Sequence, residues 1–103
     1  MIRRQQRLGL SAKERLVLEL LAASGSMYGL QLVHESRGDL KRGTVYVTLS
    51  RMEEKGLIES RQEAASDDPD AIARRMYRPT AHGERVLAAW ISISRTLTVE
   101  HGT

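Results

Sequence analysis

The chain has 103 residues, which suits one domain with a modest core. It has no cysteine, which excludes a disulfide framework and thiolate metal sites. Lys and Arg number 16 against 13 Asp and Glu, and 41% of residues are hydrophobic and 28% charged, the balance of a globular chain and not of a disordered one. No apolar run nears the ~20 residues of a membrane helix. The start, Met1 to Arg7, has no apolar stretch behind it and does not read as a secretory signal.

Ser11-Ala-Lys-Glu14 is a capping-box pattern and predicts a helix to about Ser24. Its expected buried face is Leu16, Val17, Leu20 and Leu21. Gly25 stops it, because glycine takes a positive φ without a Cβ clash. Ser26 is expected to cap a second helix over about Met27–Glu35, with Gly29 inside it where another backbone packs closely. Arg37-Gly-Asp reads as a turn and Leu40 as an inward anchor. A third helix is expected from about Arg42 to Lys55, ended by Gly56. Its only buried stripe is Val45, Leu49 and Met52 at i, i+4, i+7. Val47, Ser50, Arg51 and Glu54 face away, with Thr44, Tyr46 and Thr48 on the flanks.

From Leu57 the period shifts toward alternation, so a strand is expected to Glu63. Residues 64–73 read as a loop carrying Asp67, Asp68, Pro69 and Asp70. A second strand follows, Arg74 to Pro79, with Arg75 and Tyr77 on one side and Met76 and Arg78 on the other. Thr80 can cap a last helix to about Thr98. There, Val86, Trp90, Ile93 and Leu97 form a heptad-like seam beside a second stripe of Leu87 and Ile91. One helix with two apolar stripes needs more cover than a small domain offers, so a two-fold homodimer is expected.

Three helices and a two-stranded ribbon, then a final helix, make an α+β, mostly α, winged helix-turn-helix order. In that arrangement the third helix enters the major groove of double-stranded DNA. Hydroxyls and an arginine on its outer side suit base edges. The basic residues cluster accordingly. Residues 1–15 hold five bases and one acid, residues 37–55 five bases and three acids, and residues 71–79 three arginines and no acid. Arg3, Arg4 and Arg7 read either as a basic arm on the DNA backbone, within residues 1–10, or as a solvated terminus. Lys41 and Arg42 are further backbone candidates, and helical geometry adds Val47 and Arg51 to the reading face.

Three stretches carry a family resemblance. They are Met27-Tyr-Gly-Leu-Gln-Leu32, then Arg42-Gly-Thr-Val-Tyr-Val-Thr-Leu-Ser-Arg-Met-Glu-Glu-Lys-Gly-Leu-Ile-Glu-Ser60, then Arg74-Arg-Met-Tyr-Arg-Pro-Thr-Ala-His-Gly83. In this order they resemble the PadR family of bacterial transcriptional regulators, over about residues 12–98. The resemblance implies a dimeric repressor, acting in the cytoplasm on a pseudo-palindromic operator. It implies Thr44, Tyr46 and Thr48 as third-helix contacts, and Arg74, Arg75 and Tyr77 as wing or wing-base positions. It implies residues 80–99 as a dimerisation helix, and it allows a small planar aromatic effector stacked near Trp90. Departures are the acidic wing tip, Ser66–Asp70, which phosphates repel, and Pro79 where leucine is common. DNA contact is therefore expected on the wing's strands. The alternative is a winged-helix protein-interaction module without sequence-specific DNA binding.

No catalytic grouping is expected. His34, His82 and His101 lack metal-ligand spacing. Asp67, Asp68 and Asp70 lack the glycine and terminal glutamate of a calcium loop. No cofactor motif appears.

Overall fold

A computed structural model describes residues 10–63 and 75–102, with side chains to residue 95. The expected wing-tip residues, Arg3, Arg4, Arg7 and Arg74, and the side chain of Leu97 lie outside the described residues.

Helix α1 spans Ala12–Ser24 and starts with the capping box intact. Glu14 N–H donates to Ser11 Oγ at 3.2 Å, and Ser11 N–H donates to Glu14 Oε1 at 2.9 Å. Its buried residues are Glu14, Val17, Leu18 and Leu21. The buried face is thus rotated from the expected one: Leu18 is inside, while Leu16 and Leu20 are half-buried at the edge of the core.

Met27–Tyr28 is a short strand, β1, and not the opening of the second helix. Tyr28 holds an extended backbone, φ −77° and ψ 158°. Its N–H donates to Gln31 Oε1 at 2.8 Å, which places the start of α2 at Gly29. Helix α2 then spans Gly29–Glu35. Helix α3 spans Val45–Glu54, three residues shorter at its start than expected. Lys41–Thr44 form a turn instead, in which the carbonyl of Lys41 accepts from Thr44 and Val45 N–H. Ser36, buried, ties the α2–α3 connection: its Oγ donates to Val33 O at 2.7 Å and accepts from Leu40 N–H at 2.9 Å.

Strands β2, Ile58–Gln62, and β3, Arg75–Pro79, form the expected antiparallel ribbon. β1 adds a third strand in the order β1-β3-β2, with Met27 opposite Tyr77. Helix α4 spans Ala81–Gly102, capped by Thr80, whose Oγ1 accepts from Gly83 N–H at 3.0 Å. At 1.5 Å per residue its 22 residues reach about 33 Å.

The core joins Val17, Leu18 and Leu21 of α1 to Leu32, Leu40 and the α3 stripe, and closes with Leu57, Ile58, Tyr77 and Leu87. Each fully buried aliphatic side chain contributes about 1.5–3 kcal/mol relative to exposure. Helix α3 ends in a Schellman turn: Leu57 N–H donates to Met52 O at 2.9 Å and Gly56 sits at φ +74°. That turn feeds the tightest packing at any described glycine. A Cβ on Gly83 would run into the carbonyl of Leu57, which also accepts Thr80 N–H. We expect Gly83→Ala to cost about 1–3 kcal/mol by overpacking against backbone. A urea melt checks this, and an unchanged midpoint would show that α4 has slack over Leu57.

Candidate nucleic-acid interface

Helix α3 is seated by Val45, Leu49 and Met52, each no more than 1% exposed. A stripe that narrow leaves most of the helix in solvent. Val47 is 54% exposed, and Ser50, Arg51 and Glu54 are exposed with it, as helical geometry requires. Thr44 is exposed at the helix start and Thr48 is half-buried. Lys41, Arg42 and Arg51 are exposed, and none of the three forms an ion pair among the described residues. Three uncompensated cations and two threonines therefore border one protruding helix.

Tyr46 lies on the flank of α3, half-buried. Its ring packs on Gly29, where an added Cβ would fall 2.7–2.8 Å from the ring and hydroxyl. Its hydroxyl is buried without a hydrogen-bond partner among the described residues. Burial raises the Tyr46 phenol above its ordinary value, against the pull of Arg42. It stays neutral at physiological pH and carries no charge to repel phosphate.

The wing positions divide. Tyr77 is 4% exposed and part of the core, so it is a wing-base residue and not a free contact. Burial raises its phenol too, helped by Glu53 and Tyr46 and opposed by Arg75. Arg75 is half-buried, with Nε donating to Ser60 Oγ at 2.9 Å and Nη1 to Gln62 Oε1 at 3.3 Å. Ser60 Oγ donates to Glu53 Oε2 at 2.6 Å, linking β2 to α3. Arg78 lies on the opposite sheet face and pairs with Glu59 at 2.7 Å.

Two features escape sequence reasoning. Glu14 is buried and accepts from Lys55 Nζ at 2.9 and 3.0 Å, joining the start of α1 to the end of α3. The capping box explains Glu14 fully at the local level, so nothing signals a second partner 41 residues away. The Glu53–Ser60–Arg75 chain is likewise invisible, although strand alternation does place Ser60 and Arg75 on one face once the register is known.

The proposed dimer seam is partly used within the chain. Val86 is half-buried against the core, and Arg15 stacks its guanidinium 4.5 Å from the Trp90 ring centre while pairing with Glu19 at 3.2 Å. Ile93 remains 49% exposed and Ile91 37%. Among the described residues no cluster of His, Asp or Glu could hold a metal, and no helix is long and apolar enough to cross a membrane.

Comparison with known proteins gives these neighbours. The model of the transcriptional regulator PadR-like family matches residues 17–89. A PadR family transcriptional regulator from Eggerthella lenta is 27% identical, with 98% of this chain and 82% of that one covered at a TM-score of 0.67. A PadR family regulator from Clostridium difficile is 26% identical over 85% of this chain and 92% of that one, TM-score 0.68. The PcaV regulator of Streptomyces coelicolor, solved with its natural ligand, is 26% identical over 86% of this chain and 59% of that one, TM-score 0.64. Against four longer matched structures the chain spans 59–64% of their length. No curated protein sequence matches it significantly.

The Gly29–Tyr46 contact gives a prediction. We expect Gly29→Ala to destabilise the wild type by about 1 kcal/mol, but to be neutral or stabilising by up to ~1 kcal/mol in a Tyr46→Ala background, where helix propensity alone acts. A double-mutant cycle by thermal melting reads the difference. Strict additivity would mean that the ring swings aside at no cost.

Proposed function

From the premise that the chain belongs to the PadR-like family of transcriptional regulators, winged helix-turn-helix proteins and not enzymes, we propose that it is a dimeric, cytoplasmic repressor of a pseudo-palindromic operator. The observation that carries this reading is the exposed α3 face bordered by Lys41, Arg42 and Arg51, unpaired among the described residues. Thr44, Val47, Thr48 and Arg51 meet base edges or the thymine methyl, Tyr46 supports them from its flank, and Lys41 and Arg42 take phosphates. On the wing, Arg74 and Arg75 take phosphates on the flanking backbone, with Tyr77 beneath them, and Arg3, Arg4 and Arg7 extend the contact as an N-terminal arm.

Residues 1–103 act as one winged-helix domain, with residues 80–99 as its dimerisation helix. The exposed Ile91 and Ile93 support a second copy along α4, with Val86, Trp90 and Leu97 completing the seam. Two copies related by a two-fold axis then place their α3 helices in major grooves about 34–36 Å apart. The PcaV regulator, solved in complex with its natural ligand, supports a bound ligand for a regulator of this shape. A planar aromatic compound at Trp90 either stacks on the ring face away from Arg15 or displaces that guanidinium.

Fragments selected from a random duplex pool test this reading. We expect recovered sites with two-fold symmetry, and binding whose log–log salt slope is about −0.9 per phosphate neutralised. Arg51→Ala should cost about 1–3 kcal/mol and relax the preference at one position per half-site. Arg74 and Arg75 replaced together by alanine should weaken binding to all sequences alike. Recovery of no enriched sequence would point instead to a protein-interaction module.

A further inference from the structure

Arg75 is an unusual choice for a simple phosphate contact. A cation that only neutralises a phosphate needs no holder, yet this one is half-buried and pinned at two points. Its first holder, Ser60, has a single hydroxyl used twice, accepting from Arg75 Nε and donating to Glu53 Oε2. Its second is Gln62, directly opposite in the ribbon. Ser60 lies opposite Tyr77, so the holders share the sheet face that bears the buried Tyr77 and lies toward α3. Glu53 lies within the Schellman turn that launches β2, its carbonyl accepting Gly56 N–H at 3.0 Å. The chain of bonds thus spans the two elements that are to meet DNA, and it leaves the Nη2 amino group of Arg75 without a partner among the described residues.

The charge of Glu53 runs against a purely electrostatic role for this corner. An exposed carboxylate beside a phosphate-binding surface repels it, and simple electrostatics favours its removal. Its presence has a physical reason if it orients Ser60, which then orients Arg75.

We infer that Glu53 and Ser60 are positioning residues for DNA binding: they fix the Arg75 guanidinium against α3, so that helix and wing engage the duplex as one surface with Arg75 on a single phosphate. This rests on the reading that Arg75 contacts DNA. The fork geometry of a guanidinium is required, because a lysine ammonium cannot hold Ser60 and Gln62 while also reaching outward.

The test measures dissociation constants for a labelled duplex recovered by selection with the wild type, between about 50 and about 200 mM KCl. The variants are Ser60→Ala, Ser60→Thr, Glu53→Ala and Arg75→Lys, each with its melting temperature. Ser60→Ala, Glu53→Ala and Arg75→Lys should weaken binding roughly threefold to tenfold, the worth of one hydrogen-bonded contact. Their salt slopes should be shallower by about 0.9. Ser60→Thr keeps the hydroxyl and should restore both values. Glu53→Ala is decisive in sign: loss of an acid alone tightens binding, whereas loss of the holder weakens it. Tighter binding by Glu53→Ala overturns the inference, as does wild-type affinity and slope in Ser60→Ala or Arg75→Lys. If Ser60→Ala does not fold, Arg75→Lys, which leaves Ser60 in place, decides the matter. A wild type that binds no duplex sinks the proposed function itself, while a wild type that binds with all variants unchanged sinks the inference alone.

Discussion

Helix α3 is held to the domain by a stripe one side chain wide. Val45, Leu49 and Met52 are each buried to 1% or less, and the residues on the far side are in solvent. A helix of ten residues is marginal alone, so its stability comes from that stripe. The stripe also directs the rest of the chain. Met52 O accepts Leu57 N–H across Gly56, which turns the chain into β2, and the Leu57 carbonyl then fixes where Thr80 and Gly83 let α4 begin. One narrow row of side chains thus orients the solvent face of α3, the β2–β3 ribbon and the final helix together.

Polar groups brace the C-terminal end of the same helix on two sides. Lys55, at the α3 C-cap, holds the buried Glu14 carboxylate, and removing the lysine would leave that buried acid without its cation. Glu53, Ser60 and Arg75 brace the wing side. Tyr46 fills the remaining angle by resting on Gly29 of α2. The result is a helix with little freedom to tilt and a face with few internal obligations, the combination that groove binding asks for.

Much of this was legible in the sequence where the signal is local. The Ser11–Glu14 box, the stop at Gly25 and Gly56, and the 45–49–52 spacing all translate into structure directly. What was not legible depends on distant partners. Leu16 and Leu20 look as apolar as Leu18, and only the elements packed around α1 decide that Leu18 goes in. Met27 and Tyr28 fit a helix start until β3 supplies an edge for them to pair with. Tyr77 reads as a wing or wing-base position by resemblance, and its place on the α3-facing side of β3 puts it in the core. Lys55 reads only as the end of the third helix, and its partner Glu14 comes from the start of α1.

The solvent side of α3, backed by the wing strand at Arg75, is on this reading the surface a duplex meets. The most direct measurement is an amide chemical-shift titration of the protein with a short cognate duplex. Shifts concentrated at Thr44, Val47, Thr48, Arg51 and Arg75, with Val45, Leu49 and Met52 moving little, are the expected result. Shifts confined to α4 or to the outer sheet face around Glu59 and Arg78 would contradict it.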